Sequence, residues 1–135
     1  MTGHEIVNPE TLAPPVGFAH AVVASGGKTV YLGGQAGMTV SGDIVAPGLP
    51  EQFDTAAANI VTALEAAGGE PNHLVSMQIF VTSAEEYRRS LKKIGEIYRK
   101  HFGRHYPALA FFEVSGLFDR DAKVELWCVA VIPDG

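Results

Sequence analysis

The chain has 135 residues, 47% hydrophobic and 19% charged, with 10 basic against 15 acidic side chains and a formal charge of −5. One domain, residues 1–135, accounts for that length and can bury roughly two-thirds of its unfolded surface, and the composition is globular rather than disordered. The acidic balance argues against nucleic acid as a partner. A single cysteine excludes an internal disulfide and a Cys-rich zinc site. No apolar run approaches the roughly 20 residues that span a bilayer, so no membrane partner is expected. The polar stretch 1–13 lacks the basic-then-apolar order of a signal peptide, which leaves a cytoplasmic protein as the expectation.

In chain order, residues 1–17 read as irregular, because Pro9, Pro14 and Pro15 remove donors and fix φ. Residues 19–24 form an apolar strand closed by Ser25-Gly26-Gly27, and 29–33 form a second, so the two predict a hairpin. Gly33, Gly34 and Gly37 then break the pattern. A first helix is predicted over 50–67, with Phe53, Ala56, Ala57, Ile60 and Leu64 on one stripe and Gly68-Gly69 as its stop. Residues 74–81 alternate, with Val75, Met77, Ile79 and Val81 on the apolar side. The second helix opens on a capping box, Ser83-Ala84-Glu85-Glu86, and carries Tyr87, Leu91, Ile94, Tyr98 and Phe102 on one stripe before Gly103 ends it. Arg88, Arg89, Lys92, Lys93, Arg99 and Lys100 lie mostly on its other faces and read as a solvated surface. Strands over 108–114 and 123–131 finish the chain. The order β-β-α-β-α-β-β predicts an α+β fold, a sheet with both helices on one face.

The last two strands are apolar on both sides. Ala110, Phe112 and Val114 oppose Leu109, Phe111 and Glu113; Val124, Leu126, Cys128 and Ala130 oppose Glu125, Trp127, Val129 and Val131. Two helices cannot cover both faces, and an apolar face of that size calls for a partner, so a homo-oligomer formed through the sheet is expected.

Glu113 and Glu125 stand among apolar neighbours. A carboxylate in that setting reaches a rim, pairs with a base, or sits in a cavity where a raised pKa suits acid–base work. An ion pair or exposure at a strand end is the commoner outcome. His101 and His105 are four residues apart, but Gly103 lies between them and weakens a metal-pair reading. His20, beside Phe18, is placed to line a cleft. Cys128 reads as a small core residue. Gly33-Gly34-Gln35-Ala36-Gly37 follows a strand without opening a helix, so it fails the dinucleotide test, although its backbone N–H groups can approach a ligand carboxylate.

These residues resemble the Rid (YjgF-like) family of reactive imine/enamine deaminases over nearly the whole chain. The resemblance is carried by Ala13-Pro14-Pro15-Val16-Gly17-Phe18, Val30-Tyr31-Leu32-Gly33-Gly34-Gln35, Gln52-Phe53 with Ala57, Asn59 and Leu64, Ala66-Ala67-Gly68-Gly69, Phe80-Val81-Thr82, Tyr98, Tyr106-Pro107-Ala108, Glu113-Val114 with Leu117, and Val124-Glu125 with Ala130-Val131. It implies a chorismate-mutase-like α+β fold and a homotrimer with three clefts between subunits. It also implies hydrolysis of small 2-imino or enamino acids to keto acids and ammonia, without metal or cofactor.

Carried over residue by residue, the family pattern is only partly kept. The glutamate that handles water is Glu125. The arginine that follows Pro-Ala and grips the substrate carboxylate is replaced by Leu109. Phe18 stands for an aromatic that is often tyrosine, Gly33 for a serine before Gly34-Gln35, and Gly95 falls near a helix-two asparagine. The implied site is an apolar cleft of Phe18, Leu109, Phe111 and Trp127 with Glu125 inside, and with Gly33, Gly34 and Gln35 as ligand-binding residues. Loss of the guanidinium removes about 2–5 kcal/mol of anion binding and shifts the expected ligand from a small imino acid to a larger, less polar or cationic molecule. A non-catalytic binding protein of the same fold is the alternative; an endoribonuclease, a name also used in the family, ranks third.

Overall fold

The last strand among the described residues sits inside the sheet. The computed structural model describes residues 4–134 and contains, in chain order, β1 (Glu5–Val7), β2 (Ala21–Val23), β3 (Lys28–Ala36), α1 (Leu49–Ala66), β4 (Leu74–Val81), α2 (Ala84–Arg89), α3 (Leu91–Phe102), β5 (Ala108–Glu113) and β6 (Val124–Ile132). The main sheet has the order β3-β6-β4-β5. β6 runs antiparallel to both β3 and β4, and β5 joins the far edge parallel to β4. This is the mixed α+β sheet expected from the element order.

Alternation explains which face the helices cover. Val124, Leu126, Cys128 and Ala130 of β6 are fully buried, as are Met77 and Val81 of β4. They pack with Phe53, Ala56, Ile60 and Leu64 of α1 and with Ile94, Tyr98 and Phe102 of α3 in one core. Each Val, Leu, Ile, Phe or Met among them contributes about 1.5–3 kcal/mol by leaving water. Burial in this core pushes the Cys128 thiol up to about 12, so it is an inert core residue as expected. In β4, Leu74 rather than Val75 enters the core, because an irregularity between Leu74 and Ser76 shifts the register there.

Four local expectations are corrected. The hairpin of 19–24 with 29–33 does not form: β2 pairs with β1, which arises within the stretch expected to be irregular, and β3 pairs with β6. The chain does turn at Gly26 and Gly27, with φ of 58° and 77°. However, a Cβ at Gly27 would collide with the Ile132 carbonyl, so the turn packs on the end of β6 and delivers β3 to that strand instead. Second, Gly33 and Gly34 do not end a strand: β3 runs through them to Ala36 as a bulge opposite β6. Third, the second helix is interrupted at Ser90 (φ −99°, ψ 8°), which closes α2 and opens α3, consistent with serine's preference for helix ends. Fourth, only half of the capping box forms. Ser83 accepts from the Glu86 N–H at 3.1 Å, while the Glu86 carboxylate pairs with Lys123 at 3.0 Å instead of reaching back.

Gln52 is the one buried polar side chain among the described residues. Its amide donates to the carbonyls of Ala46 (2.7 Å) and Asp121 (3.0 Å) and accepts from the Lys123 N–H (2.8 Å). It thereby ties α1 to the loop after β3 and to the entrance of β6. Gln52→Ala leaves three backbone groups without that partner, and the expected loss is about 3 kcal/mol in chemical denaturation at fixed protein concentration. A change below about 0.5 kcal/mol would mean that water replaces the amide at no cost.

Candidate functional site

The predicted site residues divide between the two faces of the sheet. By register, Leu109 pairs with Met77 and Phe111 with Ile79, so both lie on the helix-covered side. There they meet Phe18 in an apolar pocket of about 560 Å³ whose wall is completed by Tyr87, Ile94, Tyr98 and Tyr106. Tyr87 packs on Phe111 with ring centroids 4.6 Å apart, and Tyr98 stacks on Tyr106 at 5.0 Å. Tyr98 also donates its hydroxyl to the His105 carbonyl at 2.7 Å, which fixes the ring. Burial pushes the Tyr87 phenol up to about 12 and raises Tyr98 further, so both stay protonated near neutrality.

Glu125 lies on the other side. It shares a face with Trp127 and Val129, opposite Ala36 of β3 and Phe80 of β4. Its carboxylate rests on Gly34, where any Cβ would collide with it. Glu125 is half-buried and has no hydrogen bond or ion pair among the described residues. Gly33 faces open space, and Gln35 pairs with Leu126, which puts it on the helix side, away from Glu125. The face around Glu125 carries large bare apolar side chains: Tyr31 is 76% exposed, Trp127 46% and Phe112 45%, with Phe112 stacked on Phe80, beside the polar pair Ser76 and Gln78. The single cleft containing both Leu109 and Glu125 is therefore not formed within one copy, because the sheet itself stands between them.

The two glutamates, alike in sequence, have different roles. Glu113 accepts from the Ala84 N–H at 2.8 Å and so caps α2 from the neighbouring strand. His20 donates from Nε2 to the Ala13 carbonyl (2.7 Å), packs edge-on to Phe18, and lines a shallow pocket of about 230 Å³ beside it. His101 and His105 do not converge. His101 binds Asp54, His105 binds the Leu74 carbonyl, and no cluster among the described residues could hold a metal ion. Hydrogen bonds from Lys100 and then His101 hold the Asp54 carboxyl below its ordinary range. The larger opening of about 840 Å³, between the 44–47 and 115–123 loops, contains none of the predicted residues.

Arg99, expected on the solvated face of the second helix, is exposed, and it also lines the Leu109 pocket together with Gly95, which sequence reasoning did not foresee. The available signal was spacing: Gly95 lies four residues before it, on the same side of the helix.

Residues 9–132 match the family described as Endoribonuclease L-PSP. The chain is 29% identical over 115 residues to 2-iminobutanoate/2-iminopropanoate deaminase of Homo sapiens, covering 84% of this chain and 79% of that protein. It is 31% identical over 134 residues to Protein DfrA of Myxococcus xanthus, covering 95% and 92%. The crystal structure of YyfB from Yersinia pestis, a Rid-family protein of unknown function, shares the fold with a TM-score of 0.85 at 28% identity, over 96% of this chain and 99% of that one. The span of the match and the shared architecture agree with the resemblance read from the residues: the chain belongs to the Endoribonuclease L-PSP (YjgF/Rid) family and has its chorismate-mutase-like fold.

Proposed function

We propose that this chain binds a small organic imine or enamine in clefts between the subunits of a homotrimer and hydrolyses it to a carbonyl compound and ammonia. The observation that carries this reading is Glu125, an unpartnered carboxylate held over Gly34 on a bare apolar face. Covering that face with a neighbouring copy removes the exposed Tyr31, Trp127 and Phe112 from water. The cover also brings the carboxylate beside another copy's pocket. In the reaction, water adds its oxygen to the C=N carbon while Glu125 takes one of its protons. That proton passes to nitrogen to give a carbinolamine; Glu125 then takes the hydroxyl proton and delivers it to nitrogen, so the C–N bond breaks, ammonia leaves and the C=O bond forms. The C=N carbon is electrophilic enough that the scheme calls for no metal or cofactor. Relatives named 2-iminobutanoate/2-iminopropanoate deaminase support the reaction class. The reading goes with a cytoplasmic location and with neither nucleic acid nor membrane as a partner; no helix among the described residues is long and apolar enough to cross a membrane.

A second reading, a binding protein without turnover, is favoured by Leu109, which offers a substrate anion no charge from its strand. Cleavage of RNA ranks below both. The charge is −5, and two of the basic side chains on the second helix are already held by acids, Arg88 by Glu85 and Lys100 by Asp54.

Sedimentation at micromolar concentration is expected to give a trimer; a monomer alone would contradict assembly through the sheet. Ammonia and keto-acid release, followed across a panel of imino acids, is expected to exceed the uncatalysed rate. Glu125→Gln is expected to lower it by about 10²–10⁴-fold. Unchanged turnover in that variant removes Glu125 from the chemistry, and no release from any imine favours the binder.

A further inference from the structure

The Leu109 pocket contains a charge that the proposed chemistry does not use. Among the described residues, Arg99 is the only charged side chain lining it, against walls supplied by Phe18, Leu109 and Phe111. The guanidinium stands 3.5 Å from the place a Gly95 Cβ would occupy, an ordinary contact distance, so it lies along α3 beside Gly95, exposed at the rim of the pocket. It makes no ion pair or hydrogen bond among the described residues, although the next residue, Lys100, is held by Asp54 at 2.8 Å. Among the described residues of one copy, no carboxylate lines the pocket to compensate it. A guanidinium beside an apolar cavity is weakly hydrated, planar and able to hold a carboxylate through two parallel hydrogen bonds. The cavity of about 560 Å³ is larger than a two- or three-carbon acid needs.

We propose that Arg99 is the specificity-determining anion anchor of this pocket, and that the ligand is an organic acid with a bulky apolar, preferentially aromatic, body. The carboxylate sits at the helix α3 rim on Arg99, and the body lies between Phe18, Leu109 and Phe111, in the space left open over Gly95. This deepens the function proposed above and rests on it for the identity of the site, but it concerns binding and requires no turnover.

Titration of the assembled protein with phenylacetate, its neutral amide phenylacetamide, and acetate tests it, with heat or ligand-observed NMR as the readout. Phenylacetate is expected to bind about 10- to 100-fold more tightly than the amide, the difference a charge-assisted bidentate contact supplies. Acetate is expected to bind more weakly than phenylacetate. Arg99→Gln should bring phenylacetate down to the level of the amide and leave the amide, and the thermal midpoint, unchanged. Gly95→Leu should weaken both aromatic probes by filling the pocket. Arg89→Gln, at the end of α2 and outside the pocket, should change neither. Equal affinity for acid and amide, an acid affinity untouched by Arg99→Gln, or no binding of phenylacetate at millimolar concentration would each overturn the proposal. Glu125→Gln separates the two ideas. If it stops hydrolysis and keeps the acid preference, both stand. An acid preference without any hydrolysis leaves the anchor and removes the enzyme, and hydrolysis that ignores the charge of the probe leaves the enzyme and removes the anchor.

Discussion

One sheet with two apolar faces and helices for only one of them is the constraint from which the rest follows. β6 sets it, because it is an interior strand whose buried row, Val124, Leu126, Cys128 and Ala130, is backed by Trp127 and Val129 rather than by polar side chains. α1 and α3 cover the first row, and nothing in a single copy covers the second. A face carrying Tyr31, Trp127, Phe80 and Phe112 is a cost in water and a gain against a partner. Glu125 shares that face, so the exposed apolar side chains and the carboxylate proposed to act on water come from the same strand.

The same geometry explains why one copy offers two incomplete sites. The pocket of Phe18, Leu109 and Phe111 opens on the helix side, and the carboxylate of Glu125 stands on the other. Two glycines shape these halves by what they lack. Gly34 leaves the bulge of β3 flat enough for the Glu125 carboxylate to lie on it, and Gly95 lies beside the Arg99 guanidinium on α3. Leu109 presents no charge to the pocket from the strand, while Arg99 lines it from the helix.

Much of this was legible from local signals. The helix stops at Gly68 and Gly103, the Ser83 cap and the alternation of β4 from Met77 onward are each set by a few neighbouring residues, and the structure keeps them. What local signals cannot choose is a distant partner. Gly26-Gly27 announces a turn whether β3 then pairs with β2 or with β6, and only the packing of that turn on Ile132 decides. Glu113 and Glu125 have the same apolar surroundings along the chain, yet opposite registers send one to cap α2 and the other to the bare face. Arg99 was hidden in a run of basic residues, since a helix stripe shows which positions face inward but not that an inward neighbour is missing. The family was legible because its residues recur in order and spacing over nearly the whole chain, which no single element supplies.

A crystal structure of the assembled protein tests the central claim most directly. The account predicts three copies around a threefold axis, Tyr31, Trp127 and Phe112 covered, and each Glu125 carboxylate opening into the Phe18–Leu109–Phe111 pocket of a neighbour. An assembly that leaves this sheet face in water, or that covers it while holding Glu125 away from every pocket, would contradict it.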